Sequence, residues 1–393
     1  MKNLFYIILI LVIIFPIPLL SYSYLGISYG DNVGYYGTRN LGMGGTGVAS
    51  SDDHSALFSN PACLYHIKSK MGASLSGQYI GGNERILDYE SPVSYESSFS
   101  KFNLNSFGIY VKPLDYCSVA FGYHPQMDFN YESEHAIPEN QSEKYGVKYI
   151  TSEGTADNYS FGLSFNLKSY GSVGLSYTIL KGSQSLVQGI NYYDDVNRND
   201  EKSKNSYKLK GSAFNMGILG RLVKQIFIGC YLRTGAEIQI ENSSTFTYPS
   251  QYGLGFMFAS LFGYDTVFSL DLLYADYENF SVKPRNSSAY TPAGFHEVFE
   301  IHSGVEHILV FGKTKVPVRF GYYFQPFYGS DAYDRSVFTA GLGLWDYPLL
   351  GLKMDLSMEF GKRNFLGDNA YFDNTKLIDE TLLNFVFGIK YEI

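Results

Sequence analysis

Charge is scarce in this sequence. Only 17% of its 393 residues are Asp, Glu, Lys or Arg, against about 25% in an ordinary soluble domain. The balance is acidic, −8, with no basic stripe. That excludes nucleic acid as a partner, because nothing is there to neutralise phosphates. Cysteine is nearly absent. Cys63, Cys117 and Cys230 are odd in number and far apart, so they build no disulfide framework, and no Cys/His spacing of a zinc site occurs. Beyond residue 20 there is no long apolar run, which excludes a bundle of membrane helices. Catalytic motifs are missing as well. The run Gly42–Gly47 lacks the Gly-Lys-Ser/Thr ending of a phosphate loop. Asp52-Asp53-His54 brings no further ligand at a fixed spacing and reads as a polar loop rather than a metal site. Asp53, His54 and Ser55 are no triad, since neighbours in sequence are not thereby nucleophile and base. The expectation is a non-enzyme that needs no metal and no cofactor.

What is abundant is aromatic and small: 36 Tyr, 30 Phe and 40 Gly. Such a mixture suits strands that turn an apolar band and aromatic girdles to lipid. At the start, Lys2 precedes an apolar run from Leu4 to Leu20, and Ser21-Tyr22-Ser23 offers small residues at a cleavage site. Residues 1–23 read as a signal peptide. A membrane anchor is the alternative, although Pro16 and Pro18 break the end of the run. Export without a second anchor points to an outer membrane. Residues 24–68 form a Gly-rich segment without period. From 69 to 393 the sequence alternates and is punctuated by turns. In 352–361, Leu352, Met354, Leu356, Met358 and Phe360 oppose Lys353, Asp355, Ser357, Glu359 and Gly361. Each such strand has one greasy and one wet face.

Alternation alone does not separate a soluble sandwich from a membrane barrel. Link lengths do. Fourteen candidate strands are joined by short turns at 112–115, 169–170, 224–225, 263–264, 313–315 and 347–349. Longer polar links cover 81–100, 128–155, 183–206, 242–249, 279–297, 327–334 and 363–381. A bacterial barrel needs short turns on one side of the membrane and long loops on the other. Lipid leaves no free sheet edge unpaired, so the sheet must close. The expectation is an all-β transmembrane antiparallel barrel of about fourteen strands. Asp271, Asp355, Glu359, Arg319 and Lys390 should face its lumen as a hydrated lining. About eight strands already enclose all the space their own side chains can fill. Fourteen therefore leave a lumen that is either open or plugged, and residues 24–68 are the sizeable candidate for a plug.

The stretch Arg39-Asn40-Leu41-Gly42-Met43-Gly44-Gly45-Thr46-Gly47-Val48-Ala49 through Asn60-Pro61-Ala62 resembles the N-terminal hatch signature of the FadL outer-membrane transporters. Weaker echoes are Phe214-Asn215-Met216-Gly217, the run from Tyr248 to Gly255, and the run from Val316 to Tyr323. Cys63 departs from the pattern, where a small residue such as Gly is commoner. The resemblance implies a fourteen-stranded barrel with an N-terminal hatch that passively admits hydrophobic molecules such as long-chain fatty acids. Its partners would be such a small molecule and outer-membrane lipid. It also implies a kinked third strand that opens sideways to the membrane. The third strand here carries His124-Pro125, where a proline can leave a gap in the ladder or simply end the strand. The candidate site residues are Asn60, Pro61 and Ala62, with Phe58, Leu57 and Met43 as apolar contacts for a ligand and Pro125 at the gap. The plainer reading of Asn60-Pro61-Ala62 is a turn joining hatch to barrel, and of the apolar three, packing of plug against wall. The same hatch signature occurs in secretion-system barrels of the PorV kind, which keeps a protein partner open. A general porin is the third reading.

Overall fold

The computed structural model describes residues 31–32, 36–88, 94–138, 144–168, 170–193, 199–240, 244–260, 265–284, 287–326, 328, 334–366 and 376–393. The expected signal peptide and parts of the expected links lie outside them. No helix among these residues is long and apolar enough to cross a membrane. Strands form nearly everything.

Fourteen antiparallel strands close into a barrel. They are β1 (Met71–Asp88), β2 (Ser94–Leu114), β3 (Cys117–Asp128, resuming as Tyr131–Pro138), β4 (Lys144–Asn166), β5 (Gly171–Tyr192), β6 (Glu201–Val223) and β7 (Ile226–Arg233 and Ala236–Ile240). There follow β8 (Ser244–Tyr248 and Gln251–Phe258), β9 (Thr266–Ala275 and Ser281–Pro284), β10 (Val298–Phe311), β11 (Thr314–Gln325), β12 (Arg335–Trp345), β13 (Leu352–Leu366) and β14 (Lys376–Glu392). Closure is made by β14 on β1, in register from Gly72 opposite Glu392 to Asp88 opposite Lys376.

The pleat sorts the side chains as the alternation predicts. On β13, Leu356, Met358 and Phe360 are 41–47% exposed on the outer wall, whereas Asp355, Ser357 and Glu359 are at most 9% exposed and point inward. The same holds for outward Phe320 and Phe338. Contiguous apolar surface of this extent is untenable in water and suits hydrocarbon.

The long links are shorter than the alternation suggests. β1 and β2 reach into 81–100, β3 and β4 into 128–155, and β5 and β6 into 183–206. Ladders there continue beyond the greasy band, for example from Ser183 opposite Lys208 to Ile190 opposite Glu201. Once both faces of a strand meet water, its sequence loses the apolar period while its backbone keeps pairing. The third strand also continues past Pro125 instead of ending.

Inside the barrel lies the hatch. It holds two short helices, α1 (Thr38–Gly42) and α2 (Ala56–Ser59), and a 3-10 turn over Pro61–His66. Between the helices the chain turns through Gly44 (φ 69°) and Gly45 (φ 76°), a left-handed conformation that glycine adopts without steric cost. Asn60 caps the 3-10 turn, its Oδ1 accepting the Ala62 N–H at 3.0 Å.

Candidate functional site

The hatch has little regular structure, so its backbone polar groups need partners from the wall. The wall supplies them. Ser164 and Ser172 donate to the Ala62 carbonyl at 3.0 and 2.7 Å. Ser176 and Asn215 donate to the Leu57 carbonyl at 2.8 and 2.9 Å. Ser357 donates to Thr38 O at 2.7 Å. The Asp271 carboxylate accepts from Gly47 N at 2.6 Å and Val48 N at 2.9 Å. Asn60, wholly buried, donates to Val48 O at 2.7 Å and to Ile218 O on β6 at 3.1 Å.

Glycines in the wall make room for this approach. A Cβ on Gly174, Gly217, Gly229, Gly304 or Gly321 would lie under 3.0 Å from hatch atoms of Pro61, Asn60, Val48, Met43 and Gly44 respectively. These glycines come from β5, β6, β7, β10 and β11, so the hatch is fitted to much of the circumference. Leu41, Met43, Leu57 and Leu64 are at most 1% exposed, and burial of each such side chain contributes about 1.5–3 kcal/mol.

Charges lock the same seat. Arg39 on α1 forks onto both oxygens of Glu306 at 2.8 and 3.0 Å, and Arg319 reaches Glu306 and Asp355 at 2.6 Å each. Lys390 approaches Asp52 at 3.4 Å and Glu392 at 3.1 Å. Buried pairs of this kind add little net stability, but stranding one partner costs about 3–5 kcal/mol. They define position. Burial raises the Asp52 carboxyl, yet Lys390 and Arg39 outweigh it and hold the group below the usual carboxylate range. Burial pushes the His54 imidazole down and the Cys63 thiol up.

Above the hatch is a cavity bordered by Tyr36, Phe58, Gln126, Tyr231, Arg233 and Glu300. Tyr36 stacks on Phe58 with centroids 4.9 Å apart and meets His124 edge-on at 4.5 Å. Toward the loop end an apolar cluster follows, of Phe129, Ala156, Leu180, Leu209 and Ile238. Leu180 and Leu209 occupy inward positions where a water-filled pore would carry polar groups. An aromatic chain runs on from Tyr248 to Phe280, Phe295 and Tyr328, with centroids 4.7–5.2 Å apart.

Beside this cavity the wall is interrupted. β2 pairs with β3 only up to Phe107 opposite Tyr123. Farther on, β3 stays on β4 through a bulge between Pro125 and Met127. β2 stays on β1 through a bulge that leaves Asn105 unpaired in the ladder. Two bulges and a proline thus face one another where the strands part. The N-terminal pair Asp31–Asn32 occupies the free edge of β3 opposite Met127 and Asp128. Side-chain links across the break include His124 Nδ1 to Asn105 O at 2.8 Å and Lys101 Nζ to Asp128 at 3.0 Å. The break lies at the level of lipid-facing residues, since Phe102 and Leu104 on the parted stretch of β2 are 52% and 43% exposed.

The residues singled out in the sequence divide. Met43, Leu57, Asn60, Pro61 and Ala62 are buried in the seat between hatch and wall and do not border the cavity. Phe58 borders it. Pro125 lies at the bulge, next to Gln126, which lines the cavity and accepts from Asn158 at 2.7 Å. Tyr36, His124, Arg233 and Glu300 were not foreseen. His124 adjoins the proline that drew notice, but Arg233 and Glu300 come to border one cavity only through the register of the closed sheet.

No family model matches the chain, and no curated protein matches it. Solved structures do. The P. putida toluene transporter TodX aligns with a TM-score of 0.68 at 13% identity, over 91% of this chain and 99% of its own. A Pseudomonas aeruginosa FadL homologue gives 0.65 at 13%, over 92% and 99%. The Ralstonia pickettii toluene transporter TbuX gives 0.61 at 12%, over 91% and 98%. At such identities the likeness is one of fold. Over nearly its whole length, the chain has the fold of the FadL-type outer-membrane transporters.

Proposed function

We propose that the protein is a passive outer-membrane channel that takes up small hydrophobic molecules and releases them sideways into the bilayer. One observation carries this reading: the β2–β3 ladder stops inside the lipid-facing band, beside a cavity bordered by Tyr36, Phe58 and Gln126. A solute descends past the apolar cluster and the aromatic chain and meets the hatch. The hatch fills the axial route, so the exit of least resistance is the break. The short-turn end faces the periplasm and the long-link end faces outward. Both long-chain fatty acids and aromatic hydrocarbons fall in the substrate class. The neighbours described as toluene transporters support the second.

Liposomes holding the protein should take up labelled toluene and labelled fatty acid faster than empty ones. A variant with both bulges and the proline removed, Pro125→Val with Asn105 and Gln126 deleted, should lose the acceleration. Equal uptake by protein-bearing and empty liposomes would overturn the proposal. The seat argues against a general porin, which would conduct ions steadily in planar bilayers. A secretion-system shuttle of the PorV kind would instead purify with a stoichiometric protein partner.

A further inference from the structure

The ladder between β2 and β3 ends at Phe107 opposite Tyr123 and does not resume on the loop side among the described residues. Beyond that point each strand keeps to its other neighbour, β2 to β1 and β3 to β4. Side chains bridge the seam that is left. At its lower end His124 Nδ1 meets Asn105 O at 2.8 Å. Toward the loops Lys101 Nζ on β2 meets Asp128 Oδ2 on β3 at 3.0 Å. Farther up, Tyr131 on the continuation of β3 donates to Glu84 on β1 at 2.9 Å. From Asn105 to Lys101 the strand climbs about 13 Å, at about 3.3 Å per residue. Phe102 and Leu104 on that stretch are exposed on the lipid side. Gln126, on the facing stretch of β3, borders the cavity. The window between cavity and lipid is thus framed by the His124 link below and the Lys101 link above.

The two halves of the upper link are unlike. Asp128 is fixed. Its Oδ1 accepts from Asn130 N at 2.7 Å and from Asn130 Nδ2 at 2.5 Å. The same Nδ2 donates to Gly154 O on β4 at 3.0 Å, so the carboxylate is tied to the β3–β4 side of the seam. Its side chain is 1% exposed. Lys101 is the movable half, a compact ammonium on a flexible four-carbon stem. A charge-assisted bond out of water holds firmly, yet this one can open without stranding either charge. Asp128 keeps its two bonds from Asn130. Both charges also act on Asp157 of β4, so an ammonium drawn off Asp128 still has an anion near it.

We propose that the Lys101–Asp128 pair is a movable crossbar of the lateral exit and sets how thick a molecule can leave through it. The proposal rests on the reading that solutes leave between β2 and β3. With the pair closed, the strands stand far enough apart for a flat aromatic ring to pass edge-on. A thicker solute needs the strands farther apart, and Lys101 must leave Asp128 first. Neither residue borders the cavity, so the pair selects at the exit and not at the binding step.

The test uses the whole protein in phosphatidylcholine liposomes and two labelled solutes, flat toluene and the thicker cage adamantane. The Lys101→Met, Asp128→Asn variant lacks the bar and leaves no stranded charge. Loss of one charge-assisted bond should speed its adamantane uptake about tenfold, while toluene uptake stays near that of the parent. Lys101→Arg keeps the pair and should behave as the parent toward both solutes, which a general loosening of the wall would not explain. A second arm locks the bar. Cys63 and Cys117 are buried, so Lys101→Cys with Asp128→Cys in a Cys230→Ser background can be joined by a short bis-methanethiosulfonate. The joined protein should exclude adamantane and admit toluene, and reductant should restore adamantane entry. Should the first variant fail to fold, as judged by heat-modified migration, the locking arm decides alone. An adamantane-to-toluene ratio that is the same in the parent, the barless variant and the locked protein overturns the proposal. Lateral uptake itself fails on a different result, a parent that admits neither solute faster than empty liposomes do.

Discussion

Replacing Asn60 with Ala tests how the hatch is held. The side chain is wholly buried and makes three hydrogen bonds: from Ala62 N at 3.0 Å, to Val48 O at 2.7 Å and to Ile218 O at 3.1 Å. Two of these bind hatch to hatch and one binds hatch to β6. At about 1 kcal/mol net for a bond, loss of the one link to the wall shifts the hatch's release equilibrium about fivefold. Cys63 reports release. It is 1% exposed, its Sγ lies 3.6 Å from Val48 O, and burial pushes its thiol up, away from the reactive thiolate. In a background where Cys117 and Cys230 are Ser, maleimide should modify Cys63 about fivefold faster in the Asn60→Ala protein. This holds while opening is fast relative to modification. The barrel itself should keep its resistance to heat and detergent, because its ladders are untouched. Asn60→Asp should release more, since it sets an unpaired carboxylate oxygen against two carbonyls. Unchanged modification in both variants would refute the reasoning and leave Asn60 as an ordinary turn residue.

Other consequences follow from the same seat and the same break. Gly217→Val should mimic Asn60→Ala, because a side chain there invades the space of Asn60, and should double as a check by Cys63 modification. Arg39→Met removes the hatch side of the ion pair with Glu306, held at 2.8 Å, and should weaken hatch docking by about 1.5–3 kcal/mol, read as ion conductance in planar bilayers. Acid should loosen the hatch. Burial lowers His54 from 6.5, and burial together with Lys112 and Arg221 lowers His66 to about 4. Above pH 6.5 docked and released forms are both neutral there. As the pH falls through 6.5 toward the lowered values, the released form alone takes up the protons, so docking weakens. Cys63 modification, normalised to a free thiol, should rise between pH 7.5 and 5.5, and should stay flat in a His54→Asn, His66→Asn variant. Asp52 keeps its charge throughout that window.

The barrel was legible because membrane strands write their environment in alternate residues. Leu356, Met358 and Phe360 against Asp355, Ser357 and Glu359 read as two faces before any coordinates, and fourteen such segments were found. The tips of the strands were not legible. From Lys202 to Lys208 both faces are exposed or half-buried, so the period fades although the pairing persists. Asn60-Pro61-Ala62 was visible as a turn-forming box. Its role as a wall anchor needed Gly217 and Ile218, over 150 positions away. The interruption of the wall was half visible. Pro125 signalled it on β3, but the matching bulge at Asn105 leaves no mark in composition. Register across the lumen, which joins Arg39 to Glu306 and sets Arg233 near Glu300, is a property of closure and is not written locally.

The central claim is lateral release, and photolabelling tests it most directly. A photoactivatable toluene analogue, equilibrated with the protein in bilayers and irradiated, should attach at Tyr36, Phe58 and His124 and on through the break to Phe102 and Leu104. Attachment instead in the pocket between α1 and the turn end, at Asp52, Ser74, Trp345 and Lys390, with none at Phe102 or Leu104, would mean that solutes pass straight through the hatch, and would contradict the account.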